Sequence, residues 1–273
     1  MTANQTNAKE FNPNSLDLTL VAQYQRTIDA PSERVWENVL DWEHLPWLHK
    51  TSFDFVELDA AGDWGWRTWS APEHNAHVEL IQVDHESYVA RSYNANNQIS
   101  EIWTRVTPGD DTTHIAVDFY FPDVDEERSN SLREAILSLY IQLWDEDEAM
   151  MIARHHRLTE KRNQNTDITI GDAAVINAKL CAGESVIFQV AGQEYKLVYV
   201  NGMLEAQATV CPHLSGPLER SPTNSNRLFC PWHGYQFDSQ TGQCVFPASA
   251  NCRLKPAPKI TTSNGKVLAL SVV

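Results

Sequence analysis

Four residues near the end of the chain have the types and spacing of a metal centre. Cys211-Pro212-His213 is followed, sixteen positions later, by Cys230-Pro231-Trp232-His233. Each short pair can present a thiolate and an imidazole from one loop tip, and two such loops face to face offer two sulfurs and two nitrogens. Such a set suits a tetrahedral zinc site or an asymmetric [2Fe–2S] centre. Zinc fingers usually group their cysteines in one pair and their histidines in another. Here every loop carries one of each, which lets both thiolates sit on one iron and both imidazoles on the other.

A second set of candidates lies near the start, in Asn38-Val39-Leu40-Asp41-Trp42-Glu43-His44 and then Leu45-Pro46-Trp47-Leu48-His49. At about 100° per residue, a helix would put Asn38, Asp41 and His44 on one face. His49 lies beyond the kink expected at Pro46 and can swing back beside His44. Two imidazoles with one carboxylate form the facial triad of non-haem Fe(II) sites that activate oxygen. A carboxylate is available on a long helix expected from about Ser129 to Arg162. Its apolar stripe runs through Leu132, Ile136, Leu139, Tyr140, Leu143, Met150 and Met151. Within Asp145-Glu146-Asp147-Glu148, only Asp147 falls squarely on that stripe, and a buried carboxylate there needs a cation or a proton. The plainer alternatives are a solvated helix face for Asn38, Asp41 and His44, and an ion pair of Asp147 with Arg154 or His155.

The elements that must position these residues form two groups. A strand over Asp17–Asp29 precedes a helix opened by Ala30-Pro31-Ser32, with Ser32 as its cap and Glu33 in its first turn. Alternating segments follow at Ala76–Val83, Tyr88–Tyr93, Ser100–Val106 and Thr113–Phe121, then the long helix. This order predicts an α+β domain in which an antiparallel sheet wraps the last helix. Asn163–Asp172 is polar and reads as a linker. Everything beyond it reads as β, with turns at Ala191-Gly192, Asn201-Gly202 and Asn264-Gly265. The expected organisation is a loose tail over residues 1–15, one domain over 16–165 and another over 170–273, with the seam near 168.

Composition narrows the partners. The formal charge of −15, from 36 acids against 21 bases, disfavours nucleic acid and anionic lipid. No apolar run approaches the length of a membrane span, and the start lacks the blocks of a secretory signal. Five cysteines, an odd number, argue against a disulfide framework and for the cytoplasm. Cys181, Cys244 and Cys252 remain after the metal site and are expected to be core thiols. The aromatic residues Trp42, Trp47, Trp64, Trp66, Trp69, Trp103 and Tyr120 serve as core, or as walls of a pocket for a flat substrate.

The stretches CPHLSGPL and CPWHGYQFDSQTGQC resemble the Rieske family, over roughly Asn177 to Leu270. The resemblance implies a [2Fe–2S] cluster on Cys211, His213, Cys230 and His233. Gly216 and Trp232 stand where respiratory Rieske proteins carry an extra cysteine pair, so the likeness is to the oxygenase and ferredoxin branch. Tyr235 stands where many oxygenases have tryptophan. The segment IDAPSERVW…LDWEHLPWLH is similar to the START/polyketide-cyclase superfamily, whose members include the oxygenase catalytic domain and many metal-free binders of apolar ligands. Asn-x₂-Asp-x₂-His-x₄-His matches the mononuclear iron motif of Rieske oxygenases at Asn38, Asp41, His44 and His49, and LWDEDEAMMIARHHR resembles their last helix. These likenesses imply a helix-grip domain followed by an all-β Rieske domain, the reverse of the family's usual order. They further imply Fe(II) on His44, His49 and Asp147, with Asp41 linking an iron-bound histidine to the Rieske histidine of a neighbouring subunit in a homotrimer. The implied activity is an oxygenase fed by an NAD(P)H-dependent reductase or a ferredoxin, acting with O₂ on a small apolar or aromatic substrate. The alternative is a ferredoxin-like carrier or redox sensor fused to a non-catalytic pocket.

Overall fold

Seven alternating segments in the N-terminal half pair into one antiparallel sheet. A computed structural model of the chain describes residues 18–95, 97–221, 223–224 and 226–271. The tail expected over residues 1–15 lies outside the described residues. Contacts divide the chain into two units between His155 and His156. The first unit runs β1 (Leu18–Ile28), α1 (Ser32–Val39), α2 (Leu45–Leu48), β2 (Glu57–Gly62), β3 (Gly65–Trp69), β4 (Ala76–Gln82), β5 (Ser87–Asn94), β6 (Asn97–Pro108), β7 (Thr113–Pro122) and α3 (Glu126–Thr159). The sheet order is β1-β7-β6-β5-β4-β3-β2, so the first strand closes against the last and the rest meander.

Alternation places Leu80, Tyr88, Ile102, Val117 and Phe119 in one core, which Trp144 and Met151 of α3 complete. Phe119, Ile28, Ile115 and Val35 are fully buried there, each contributing on the order of 1.5–3 kcal/mol. The N-terminus of α3 is satisfied by Asp125, whose carboxylate accepts from the Arg128 amide at 2.8 Å.

The first helix is shorter than its periodicity suggests. It starts at Ser32 behind Pro31, with no side-chain cap, and stops at Val39. Asp41 accounts for the stop: its carboxylate accepts from the Glu43 amide at 3.0 Å, a local turn that competes with helix. Asn38 therefore sits on α1, whereas Asp41 and His44 lie in the connection to α2. Pro46 stands in the first turn of α2, where its missing amide is harmless.

The second unit runs β8 (Asp167–Asp172), α4 (Ala173–Cys181), β9 (Ile187–Val190), β10 (Gln193–Val200), β11 (Met203–Ala208), β12 (Glu219–Arg220), β13 (Arg227–Phe229), β14 (Gln236–Asp238), β15 (Cys244–Phe246), β16 (Lys259–Ser263) and β17 (Lys266–Leu270). Its sheets are β11-β10-β9, β12-β13-β14-β15 and β16-β17-β8. Asp167–Asp172 is a strand rather than linker, because Ile168 and Ile170 alternate into the core with Phe188, Tyr195 and Val267. The region after it is built of small β sheets, as expected, with one helix beside them: Asp172 caps α4 by accepting from the Ala174 and Val175 amides. The three expected turns are two-residue hairpins with both positions left-handed: Ala191-Gly192, Asn201-Gly202 and Asn264-Gly265. That is the turn whose twist matches the flanking strands, and it demands Gly or Asn-like freedom. The remaining cysteines are not core thiols. Cys181 is exposed, and Cys244 and Cys252 are half-buried.

Candidate metal centres

Two loops of the same backbone design hold the C-terminal candidates. In one, the Cys211 amide donates to the Gly216 carbonyl at 2.8 Å and the Ser215 amide to the Cys211 carbonyl at 3.0 Å. In the other, the Cys230 amide donates to Tyr235 and the Gly234 amide to Cys230, each at 2.9 Å. Ser215 and Gly234 both take a left-handed φ to close the turn. The histidine stands two residues after Cys211 but three after Cys230, so the two imidazoles meet from different angles. Their rings are 4.7 Å apart and nearly perpendicular. Tyr235 stacks on His213 at 4.3 Å.

Cys211, Cys230 and His233 are buried. The two thiols act on each other: contact with Cys211 holds Cys230 below the usual thiol range, while that same contact and burial push Cys211 up. Gly216 supplies the space, because a Cβ there would lie 2.7 Å from Cys230 Sγ. Two sulfurs beside two imidazoles in a sterically reserved cradle fit a [2Fe–2S] cluster with mixed ligation.

In the first unit, α1, α2 and α3 bring the other candidates together. Ligand atoms of His44, His49 and Asp147 all lie within 4.8 Å of one another. His49 Nε2 is 2.9 Å and His44 Nε2 is 3.6 Å from Asp147 Oδ1. Asn38 donates to the same oxygen at 3.0 Å. Each histidine has a carboxylate behind it, on Nδ1: Glu146 at 2.6 Å from His49 and Asp41 at 3.8 Å from His44. Carboxylates in that position orient metal-binding imidazoles so that Nε2 faces the ion. Burial works against a charged His49, but the bond and charge of Asp147, then Glu146, raise it. Burial likewise works to raise Asp147, and its bonds and charges with His49 and His44 win, holding it low. Two Nε2 atoms and one carboxylate fit a divalent cation that displaces one proton. Arg154, a candidate partner for Asp147, instead pairs with Glu37 at 2.9 Å. The apolar stripe of α3 pointed to Asp147. Glu146 was passed over, since it lies at the stripe's edge.

A cavity of about 330 Å³ opens beside His44, His49 and Asp147, walled by residues such as Trp66, Tyr88, Ile102, Phe121, Tyr140 and Leu143. Burial pushes the phenols of Tyr88 and Tyr140 upward, so both stay protonated and able to donate. The sequence carried no cue to either phenol beyond the place of Tyr140 on the α3 stripe.

Residues 173–259 match the family model of the Rieske [2Fe-2S] domain, and residues 19–140 that of polyketide cyclase / dehydrase and lipid transport. The ferredoxin component of the alkene monooxygenase system of Xanthobacter autotrophicus is 33% identical over 106 residues, covering 38% of this chain and 84% of that protein. Among solved structures, the ferredoxin of carbazole 1,9a-dioxygenase from Nocardioides aromaticivorans is 19% identical, with a TM-score of 0.29 over 40% of this chain and 100% of that one. A START superfamily protein from Mycobacterium smegmatis is 15% identical, with a TM-score of 0.38 over 52% of this chain and 99% of that one. Among the described residues, no helix is long and apolar enough to cross a membrane.

Proposed function

Since the chain belongs to the Rieske [2Fe–2S] family through its C-terminal third and carries a polyketide-cyclase/START-like domain ahead of it, we propose that it is a non-haem iron oxygenase with its domains in reversed order. The Rieske domain is an electron-transfer module. Cys211, His213, Cys230 and His233 hold its cluster, and His44, His49 and Asp147 hold Fe(II). When loaded, the cluster supplies single electrons and the Fe(II) supplies the place where O₂ is activated to hydroxylate or demethylate a small apolar or aromatic substrate. The observation that carries the reading is the convergence of His44, His49 and Asp147 beside an apolar cavity. Glu146 fixes the His49 imidazole, Asp41 stands behind His44, Asn38 fixes the Asp147 carboxylate, and the wall is mostly apolar. An NAD(P)H-dependent reductase or a ferredoxin in the cytoplasm supplies the electrons.

Charge selects the substrate. Among the described residues no Lys or Arg lines the cavity, and Asp147 faces it. Apart from the metal ion, the wall offers an anionic substrate no cation for the hydration it loses, whereas a neutral one with an acceptor oxygen can take a hydrogen bond from Tyr88 or Tyr140. Benzamide and benzoate share a shape and differ in charge. Quenching of tryptophan fluorescence should report benzamide binding roughly tenfold or more tightly than benzoate. Equal or tighter benzoate binding would refute the neutral class.

A second reading is favoured by the ferredoxin relative: an electron carrier fused to a pocket that holds an apolar ligand without chemistry. Iron content separates the two. The oxygenase holds about three irons per chain when purified anaerobically, the carrier about two. About two irons in protein saturated with ferrous ion would leave only the carrier, and a colourless zinc protein would remove both.

A further inference from the structure

Neither metal centre uses Cys244 or Cys252, yet the fold sets them opposite each other. Cys244 opens β15, and it pairs with Phe237 of β14, the strand that leaves the Cys230–His233 loop. After a turn the chain returns antiparallel, so that Gln243 bridges Arg253. The Leu254 amide donates to the Gly242 carbonyl at 2.9 Å, continuing the ladder. One step further along this register, Cys244 faces Cys252. Opposed residues in an antiparallel pair have Cα atoms about 4.5–5.5 Å apart, inside the range of about 4.4–6.8 Å that a disulfide spans. Cys244 Sγ also lies 3.2 Å from the Phe246 carbonyl, on the inner side of the same turn. Both residues are half-buried and so open to a small oxidant.

We propose that Cys244 and Cys252 form a reversible disulfide, with hydrogen peroxide as the oxidant, stapling the turn that backs the second cluster loop. This rests on neither reading of the first unit. One thiolate attacks a peroxide oxygen; the O–O bond breaks, hydroxide leaves and takes a proton, and a sulfenic acid remains. The other thiolate attacks that sulfur, the S–S bond forms, and a second hydroxide leaves as water on protonation. Two thiols lose two electrons and one peroxide becomes two waters. Burial and the neighbouring Cys244 push the Cys252 thiol up to about 11, so at neutral pH little of it is thiolate and its attack on peroxide is slow.

The test uses the cluster-loaded full chain, treated with hydrogen peroxide and alkylated without reductant. The expected result is loss of two of the three non-ligand thiols, a mass lower by two hydrogen atoms, and a peptide joining Cys244 to Cys252. Dithiothreitol should reverse all three, Cys181→Ser should change none, and the cluster's visible absorption should persist. In Cys252→Ser, peroxide should add oxygen at Cys244 with no linkage. The proposal is overturned if the untouched chain gains oxygen on these thiols without linkage, keeps both free, or links either one to Cys181, Cys211 or Cys230. The map of the unsubstituted chain decides even if the serine variant misfolds.

Discussion

Gly216→Ala is expected to yield a folded protein that has lost most of its cluster. The new methyl would lie 2.7 Å from Cys230 Sγ and 2.8 Å from the Trp232 ring, both on the facing loop. Neither can give way cheaply. Trp232 is buried, and Cys230 is tied through its amide to Tyr235. Gly216 cannot retreat either, because its carbonyl accepts from the Cys211 amide. The loops must part, and parting separates the sulfurs that have to reach one iron. Overpacking of this kind costs about 1–3 kcal/mol, roughly a five- to hundredfold shift against the closed arrangement. The measurement is visible absorption per mole of chain, with far-ultraviolet circular dichroism as the control for folding. Gly171→Ala is the matched control: its Cβ would meet nothing closer than 3.5 Å, so its cluster content should equal that of the parent. Full cluster content in Gly216→Ala would mean that the cradle is looser than its distances imply.

What was legible in the sequence depended on how local the governing interaction is. The cluster loops were readable because each ligand pair is held by bonds within six residues, from Cys211 to Gly216 and from Cys230 to Tyr235. The α+β order of the first unit followed from alternation and from the α3 stripe, because the sheet buries one face against that helix. Asn38, Asp41 and His44 were expected on one helical face by periodicity alone, which cannot see the Asp41 side chain capturing the Glu43 amide and ending α1. His44 still reaches Asp147, but through a turn instead of along a face. The polar look of Asn163–Asp172 hid β8, whose two isoleucines become significant only once β17 is beside them. The facing of Cys244 and Cys252 depends on the register of a turn, and composition carries no trace of register. Glu146 and Tyr88 were missed for a similar reason: each acts across space on a residue about 50 to 100 positions away.

Asp147→Ala is expected to remove the second metal and leave the first untouched. Its carboxylate oxygen is where three groups converge: His49 at 2.9 Å, Asn38 at 3.0 Å and His44 at 3.6 Å. Without it two imidazoles remain, too few for a ferrous ion to compete with water. Iron should fall from about three atoms per chain to about two, with the cluster spectrum unchanged and product formation abolished. Asp147→Asn keeps the shape and loses the charge, so it should behave as the alanine variant does. That pairing separates loss of a ligand from collapse of the cavity. In the metal-free chain burial lowers the His49 value, but Asp147 and Glu146 raise it above that of an ordinary imidazole, so a cation competes with a proton there. Second-site occupancy should therefore fall as pH drops through the raised His49 value, and ferrous ion added to metal-free protein should release a proton. Unchanged iron in either variant takes Asp147 out of the site. Parent protein that stays at about two irons under ferrous saturation makes the N-terminal unit a pocket without chemistry, because three donors and a cavity are then an ion-paired core and nothing more.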